Sequence, residues 1–301
     1  MTDIVVLRGK IHGLSPADYA ETLAERFPDL DVTYAETPER QRELLSEARV
    51  ATGYNVDGEA VRESDSLELF CCTFAGTGHL PLDAFEEGGV RVVSASGVHG
   101  PNIGEQVLGY ILAETRNLRT GWEQTEQNTW SHYQAGELKD STVTVVGMGP
   151  IGEAILERLD PFGVERIGVR YTPEKGGPAE SVIGFDGGGF QDALARTDYL
   201  VLACPLTDTT RSLVDDTALK TLPADAYLVN VARGPVVDTD ALVAALRGND
   251  VGGAALDVTD PEPLPSDHPL WDLPDCLITP HNAGHTPEYW ERCADIMAEE
   301  I

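Results

Sequence analysis

Three runs of small and apolar residues in the second half of the chain are each followed by a side chain that can do chemistry. Arg233 follows AYLVNVA, Glu262 follows GGAALDVTDP, and His281 follows CLITP. A guanidinium can bind a planar anion, and an imidazole can transfer a proton near neutral pH. If the runs are parallel strands, their carboxyl ends meet at one sheet edge, where such sheets bind ligands. Each residue alone could be structural, but together, with Asp257, they favour one site.

A glycine-rich turn earlier in the chain has the spacing G-x-G-x-x-G, with Gly147, Gly149 and Gly152 at the glycine positions. It follows the apolar run TVTVV and opens the helical pattern PIGEAILERL. The first glycine allows a tight turn, the second lets backbone approach a pyrophosphate, and the third packs helix on strand. The helix start at Pro150 and Ile151 adds free N–H groups and a positive dipole end. The pattern predicts a dinucleotide site.

The next predicted strand, ERIGVRYT, should end beside the adenosine ribose of that dinucleotide. NAD enzymes usually place an aspartate or glutamate there, but this strand ends with Arg170, Tyr171 and Thr172, and the first acid is Glu174. An arginine can pair with a 2′-phosphate, and no carboxylate at the strand end repels one. We therefore expect NADP(H) to be preferred, with NAD(H) as a second cofactor. The alternative is a solvated arginine that binds no ligand.

Short apolar runs alternate with helical patterns before Asn102 and again from Thr142 onward. This alternation predicts βαβ units and an α/β fold with two doubly wound parallel sheets. Between the two series, NIGEQVLGYILAETRNLR predicts one long helix over 102–119. Its apolar residues could form a dimer interface or pack inside their own domain. The glycine-rich stretch Gly176–Gly189 predicts a surface loop.

The chain has 301 residues and a formal net charge of −30, from 51 acidic and 21 basic side chains. Such a surface repels nucleic acid and anionic membranes, so we expect neither as a partner. Few lysines among many carboxylates indicate a high-salt cytoplasm, where ions screen the repulsion, and an ordinary acidic enzyme is the alternative. The chain starts without a basic and apolar leader and has no run of 18 apolar residues, so we predict a cytoplasmic protein.

The cysteines and histidines predict no disulfide framework and no metal site. Five cysteines form no C-x-x-C motif, and the neighbours Cys71 and Cys72 should face opposite sides of a strand. His281 and His285 have the i, i+4 spacing of a metal site, but Pro280, Gly284 and Pro287 disfavour one continuous helix there.

Five segments resemble the D-isomer-specific 2-hydroxyacid dehydrogenases. They are, in chain order, VVGMGPIG, CPLTDTTRSLV, NVARGPVVD, ALDVTDPEPLP and TPHNAGHT. The segments CCTFAGTGHLPLDAF and NIGEQVLGYILAETR resemble that family more loosely. The resemblance implies a Rossmann nucleotide-binding domain, residues 99–286, inserted into a flavodoxin-like substrate domain formed by residues 1–98 and 287–301.

The resemblance also implies a role for each residue at the strand ends. His281 would be the general acid/base, Glu262 the carboxylate that orients it, and Arg233 the group that binds the substrate carboxylate and carbonyl. Asp257 would hydrogen-bond the nicotinamide carboxamide. A second anchor for the substrate would be the segment Phe74, Ala75, Gly76 and Thr77. The remaining cofactor contacts would include Cys204, Pro205, Thr210, Val231, Ala232, Gly284 and His281 itself.

The implied activity is the reversible, NAD(P)H-dependent reduction of a 2-keto carboxylic acid to the D-2-hydroxy acid. Family members are commonly dimers, so we expect a homodimer joined through the 102–118 helix region. Tyr54, Phe74 and Trp290 could line a pocket for an apolar substrate side chain. One alternative is a relative that acts on formate, phosphite or a phosphorylated hydroxy acid. The other is a nucleotide-sensing corepressor on the same fold, which the joint presence of arginine, glutamate and histidine disfavours.

Overall fold

The computed structural model describes residues 2–186 and 188–301. The chain divides into two compact units. One comprises the chain up to His99 together with His285–Ile301, and the other comprises Gly100–Gly284. The second unit is therefore a continuous segment inserted between the two parts of the first. Which unit binds nucleotide and which binds substrate stays a prediction.

Short strands alternate with helices along most of the described chain. The strands are β1 (Ile4–Val6), β2 (Val32–Tyr34), β3 (Val50–Gly53), β4 (Leu69–Cys72), β5 (Arg91–Ser94), β6 (Thr142–Val146), β7 (Glu165–Val169), β8 (Ser181–Ile183), β9 (Tyr199–Leu202), β10 (Tyr227–Asn230), β11 (Gly253–Leu256) and β12 (Cys276–Ile278). The α-helices are α1 (Pro16–Arg26), α2 (Pro38–Leu45), α3 (Gly58–Arg62), α4 (Leu82–Gly88), α5 (Gly100–Thr115), α6 (Leu118–Glu126), α7 (Pro150–Leu159), α8 (Gly189–Leu194), α9 (Asp216–Thr221), α10 (Thr239–Gly248) and α11 (Tyr289–Ala298). No helix of the described residues is both long enough and apolar enough to cross a bilayer.

The first unit is built on a five-stranded sheet in the order β2-β1-β3-β4-β5, and every neighbouring pair is parallel. This is the flavodoxin-like strand order. Successive residues of β4 face opposite sides of the sheet, so Cys71 packs with Tyr19 while Cys72 packs with Phe70. The expected opposite orientation of the two cysteines is confirmed, and both thiols are free.

The second unit is built on a seven-stranded parallel sheet in the order β12-β11-β10-β9-β6-β7-β8. If β6 is counted as strand 1, the strands β8, β7, β6, β9, β10 and β11 follow the Rossmann order 3-2-1-4-5-6, and β12 is one additional strand. β6, β10 and β11 are buried throughout, as strands covered by helices on both faces must be. The predicted fold class, two doubly wound parallel sheets with a Rossmann unit inserted into a flavodoxin-like one, is confirmed.

The helix predicted over 102–119 is interrupted, and that prediction is corrected here. α5 ends at Thr115, Asn117 has a left-handed backbone (φ +50°), and α6 begins at Leu118. A residue with positive φ cannot continue a right-handed helix, and asparagine tolerates this conformation better than most residues. Because neither proline nor glycine stands at the break, the helical spacing of the apolar residues predicted one continuous helix.

The apolar side chains of α5 pack inside their own unit. Ile103, Val107 and Ile111 are buried in a core cluster with α7 and β6. The exposed large apolar side chains of this region lie further along the chain, at Leu118, Trp122, Trp130 and Tyr133. The homodimer through the 102–118 region stays a prediction.

The loop predicted over Gly176–Gly189 contains a strand. β8 pairs in parallel with β7 at the edge of the seven-stranded sheet. Three residues in a glycine-rich context give too short a pattern to recognise, because pairing with a neighbour rather than local propensity makes this strand. Gly187 lies outside the described residues.

Candidate functional site

The glycine-rich turn after β6 is shaped by close approaches of the backbone. Gly147 has φ +99°, and a Cβ there would lie 2.6 Å from the Cα of Cys204 at the end of β9. A Cβ on Gly152 would lie 1.8 Å from the Gly147 carbonyl oxygen, so α7 packs directly on the turn. Nothing lies within 4 Å of a Cβ placed on Gly149, the residue that precedes α7. This open space at a helix amino terminus suits a pyrophosphate.

A cleft of about 250 Å³ opens beside this turn. Its lining brings together the ends of β6, β7 and β9, where a Rossmann fold binds the adenosine half of a dinucleotide. Tyr171 lies across part of it, with its hydroxyl 3.1 Å from Thr207 Oγ1 and its ring centroid 5.0 Å from that of Phe185. The lining residues are Gly147, Met148, Gly149, Arg170, Tyr171, Thr172, Lys175, Phe185, Ala203, Cys204 and Pro205.

Two predicted cofactor residues on the β9 side of the cleft are buried. Burial raises the pKa of the Cys204 thiol to about 11, so it stays protonated and is no nucleophile at neutral pH. Thr210 is fully buried, and its hydroxyl donates to the Pro205 carbonyl (2.6 Å). Thr210 therefore shapes the loop after β9 from within, while Pro205 is exposed to the cleft.

His281 and Glu262 form a hydrogen-bonded pair at the carboxyl edge of the same sheet. Glu262 lies on the loop after β11 and His281 on the loop after β12, and His281 Nδ1 is 3.1 Å from Glu262 Oε2. The other oxygen, Oε1, accepts the Thr259 backbone N–H (3.1 Å), which fixes the carboxylate in its own loop. Both side chains are about half-exposed, so a substrate can reach them. They line a cavity of about 420 Å³ with Leu264, Trp271 and Ile278.

The backbone of His281 is held in an unusual conformation. Its φ is +52°, and its N–H donates to the Asp257 carbonyl (2.8 Å) and the Thr279 carbonyl (3.0 Å). A left-handed conformation in a residue with a side chain is unfavourable and persists only where the surroundings enforce it. The loop therefore fixes the imidazole through its backbone as well as through Glu262.

The buried carboxylate of Asp257 organises this loop. Its Oδ1 accepts the Thr279 hydroxyl and the Asn282 N–H (2.8 Å), and its Oδ2 accepts the Ala283 N–H (2.9 Å). Because the Thr279 hydroxyl donates to Asp257, the Tyr110 hydroxyl must donate to Thr279 Oγ1, 2.5 Å away. Burial raises the pKa of Tyr110, so that hydroxyl keeps its proton. Tyr110 on α5 thus supports the histidine loop from below.

Arg233 lies on the loop after β10, which a buried asparagine holds in shape. The Asn230 side chain donates to the Arg233 carbonyl (3.1 Å) and accepts the Ala232 N–H (3.0 Å). The Arg233 side chain is exposed, Nη1 donates to the Ala232 carbonyl (2.6 Å), and no described carboxylate forms an ion pair with it. A guanidinium with unsatisfied donors at a sheet edge is available to an anion.

The next residue brings the arginine loop against the glutamate loop. A Cβ on Gly234 would lie 2.0 Å from the Thr259 carbonyl oxygen, a distance no side chain can occupy. Thr259 is the residue whose N–H binds Glu262. The structure therefore brings Arg233, Asp257, Glu262 and His281 together on adjoining loops, as the predicted strand ends required. Val231 and Ala232, the loop residues between β10 and Arg233, are buried.

The predicted substrate segment, residues 74–77, follows β4 in the other unit. Ala75 and Gly76 are exposed, and beyond them His79 stacks on Tyr54 with ring centroids 4.4 Å apart. The His79 Nε2–H donates to the Tyr54 carbonyl (2.6 Å). The Phe74 ring lies edge-on to Tyr54 at 5.6 Å.

Trp290, expected beside Tyr54 and Phe74, lies elsewhere. It is buried on α11 and stacks on Tyr19 at 4.5 Å, in the core cluster on the opposite face of the sheet from Phe74. That part of the pocket prediction was wrong because α11 turns Trp290 into the core. An exposed aromatic and a core aromatic look alike in the sequence.

Comparison with known proteins places this geometry in a family. Residues 108–283 match the family model described as "D-isomer specific 2-hydroxyacid dehydrogenase, NAD binding domain". The chain is 34% identical to a glyoxylate reductase of Thermofilum pendens over 82% of its length and 74% of that protein. The chain belongs to the D-isomer-specific 2-hydroxyacid dehydrogenase family. The family predicted from the sequence is confirmed.

Other relatives in the family differ in the reaction named. The chain is 31% identical to a D-3-phosphoglycerate dehydrogenase of Mycobacterium bovis over 99% of its length, which spans 56% of that longer protein. A D-isomer-specific 2-hydroxyacid dehydrogenase from Xanthobacter autotrophicus Py2, solved with NADPH and MES, superposes with a TM-score of 0.75 at 28% identity, covering 98% of this chain and 93% of that one. Family membership therefore does not by itself determine the substrate or the preferred dinucleotide.

Sequence reasoning missed four residues of this candidate site. Asn230, Thr279 and Tyr110 hold the loops that carry the charged residues, and Lys175 lines the cleft. For Asn230 a signal was present, since an asparagine inside the apolar run YLVNVA must find buried partners. Tyr110 looked like any apolar residue of a helix, and its partner lies far along the chain. Among the described residues, no group of three or more histidine, cysteine or acidic side chains could hold a metal ion.

Proposed function

We propose that this chain catalyses the reversible, NAD(P)H-dependent reduction of a 2-keto carboxylic acid to the D-2-hydroxy acid. The observation that carries the proposal is the His281–Glu262 pair beside the Arg233 loop, at the same sheet edge as the glycine-rich turn. An imidazole, its carboxylate and an available guanidinium supply the proton and the anion site that such a reduction needs.

His281 serves as the general acid in reduction and as the general base in oxidation. Because Nδ1 bonds to Glu262, Nε2 is the atom left to give a proton to the substrate carbonyl oxygen. Glu262 holds the ring in this orientation, and its own position is fixed by the Thr259 N–H. Asp257 keeps the loop in shape through its hydrogen bonds. In addition, we propose that it contacts the nicotinamide carboxamide.

Arg233 binds the substrate carboxylate and stabilises the charge that develops on the carbonyl oxygen. Its exposed guanidinium carries donors that no described carboxylate uses. Backbone N–H groups of residues 74–77 form the second carboxylate anchor. The aromatic side chains of Tyr54 and Phe74 near that segment favour a substrate with an apolar side chain over a phosphorylated one.

The cleft beside Gly149 fits a nicotinamide dinucleotide, because it joins open space at a helix amino terminus to the ends of three strands. Gly147, Gly149, Pro150, Ile151 and Gly152 would hold the pyrophosphate, and Tyr171, Thr172 and Pro205 the adenosine half. When bound, the reduced dinucleotide supplies the hydride. NADP(H) is the preferred form, because no carboxylate stands at the end of β7 to bind the ribose hydroxyls or repel a 2′-phosphate.

We also propose a homodimer in a high-salt cytoplasm. Trp122, Trp130 and Tyr133 are exposed large aromatic side chains within one stretch of the chain, exposed apolar groups of this kind are often covered by a partner, and a second copy of the chain is the expected partner. The charge of −30 favours molar salt, because screening weakens both self-repulsion and the repulsion of anionic ligands.

A turnover assay tests the proposed activity. NADPH oxidation is followed at 340 nm in high KCl with a panel of 2-keto acids, and the product is assigned by enantiomer-selective chromatography. We expect oxidation with at least one unphosphorylated 2-keto acid and a D-hydroxy product. NADPH binding without oxidation by any panel member would favour the nucleotide sensor instead.

A further inference from the structure

The cleft beside the glycine-rich turn holds two basic side chains in different surroundings. Arg170 is the less accessible, with a side chain only 19% exposed. Its Nη1 donates to the Gly176 carbonyl (2.7 Å) and to the Glu153 carboxylate (3.4 Å). Glu153 lies in the first turn of α7. Arg170 therefore ties the turn after β7 to α7, and a neighbouring carboxylate offsets part of its charge.

Lys175 lies on the turn that Arg170 holds. It ends the short 3₁₀ helix Pro173–Lys175, its side chain is exposed, and it lines the cleft. Within residues 2–186 and 188–301 the structure gives Lys175 no carboxylate partner, whereas Lys139 and Lys220 each contact an aspartate. The Lys175 ammonium is thus the cation of the cleft that remains available to a ligand.

The turn that carries Lys175 packs directly on the glycine-rich turn. Gly176 and Gly177 both have positive φ, and a Cβ on Gly177 would lie 2.3 Å from the Met148 methyl carbon. Met148 is the second residue of the fingerprint. Two glycines here let the chain lie against Met148, which places Lys175 beside the residues proposed to hold the dinucleotide.

We propose that Lys175, rather than Arg170, contacts the 2′-phosphate of NADP(H), and that Arg170 is a positioning residue that holds the Lys175 turn. This inference rests on the proposed function, because it requires a dinucleotide in this cleft. An ammonium pairs with phosphate as a compact point charge, and NAD(H) offers no phosphate at that position. Lys175 therefore distinguishes the two dinucleotides.

Calorimetric titration at one fixed KCl concentration tests the assignment by binding rather than turnover. The ligands are NADPH, NADH and adenosine 2′,5′-bisphosphate. We expect Lys175→Ala to raise the Kd of NADPH and of the bisphosphate about 10- to 100-fold, and to leave the Kd of NADH within about twofold. Lys175→Arg should retain most of the NADPH affinity. Lys139→Ala, a lysine of the same unit outside the cleft, is the control and should change nothing.

The double variant separates the contact from the residue that positions it. If Arg170 acts through Lys175, Arg170→Ala raises the NADPH Kd, but adding it to Lys175→Ala raises that Kd little further. Fully additive effects would make Arg170 an independent contact, and discrimination lost with Arg170→Ala but kept with Lys175→Ala would make it the contact in place of Lys175; either result overturns the inference while the proposed activity stands. A wild-type chain that binds neither dinucleotide would overturn both. Thermal unfolding of each variant checks that the fold is intact, and the exposed Lys175→Ala substitution should leave the melting temperature unchanged.

Discussion

The carboxyl edges of the two sheets carry loops that are held in different ways. In the Gly100–Gly284 unit, buried Asn230 and Asp257 bind the backbone of the loops after β10 and β12, and Gly234 brings the first loop against the loop after β11. In the other unit, residues 75 and 76 are exposed, and the side-chain hydrogen bonds lie on either side of them: the Tyr289 hydroxyl donates to the Thr73 carbonyl, and His79 donates to the Tyr54 carbonyl.

This difference separates two tasks. Proton transfer and charge stabilisation require groups fixed within a fraction of an ångström, which buried hydrogen bonds provide. Substrate choice can be made by exposed side chains on a less constrained loop, where substitutions cost little stability. The carboxyl edge of the seven-stranded sheet should therefore govern turnover, and the carboxyl edge of the five-stranded sheet should govern substrate affinity.

Among the variants that compare the two sheet edges, Arg233→Met should have the largest effect on turnover. Loss of the guanidinium removes the anion contact at the fixed edge, so kcat/KM for the best 2-keto acid should fall about 10²- to 10³-fold. Steady-state kinetics measure this, and Arg247→Met, an exposed arginine on α10, is the matched control. A fall below about threefold would remove the arginine from the site.

A smaller effect on turnover and a clear effect on stability are expected from Asp257→Asn. An amide cannot accept from Thr279, Asn282 and Ala283 as the carboxylate does, so the free energy of unfolding should fall by about 2 kcal/mol. Urea denaturation measures the stability and steady-state assays the turnover, with exposed Asp267→Asn as control. Full stability with reduced kcat would mean that Asp257 serves the reaction and not the loop.

The smallest effect is expected at the exposed edge, from Phe74→Ala. The KM for substrates with apolar side chains should rise severalfold, with kcat and thermal stability close to those of the wild type, because Phe74 is only partly buried. Exposed Leu82→Ala in the same unit is the control. A loss of kcat comparable to that of Arg233→Met would abolish the distinction between the two edges.

The same contrast explains how much could be predicted from the sequence. Alternating patterns indicated both parallel sheets, and spacing indicated the glycine turn and the strand-end residues Arg233, Glu262 and His281, because each signal is local. Thr279 and Tyr110 were missed because their hydrogen bonds join distant segments, whereas Asn230 binds the backbone only two and three residues away and was missed although its local signal was present. The interruption at Asn117 and the burial of Trp290 were not predicted, because both depend on tertiary packing.

We propose that His281 moves the proton, held in place by the preorganised loops at its sheet edge, while other residues hold the cofactor. The most direct measurement compares kcat and the NADPH Kd of the wild type with those of His281→Asn, with exposed His132→Asn as control. We predict a kcat about 10²- to 10⁴-fold lower and an NADPH Kd within about threefold of the wild type. Near-normal turnover by His281→Asn would show that the imidazole does not transfer the proton.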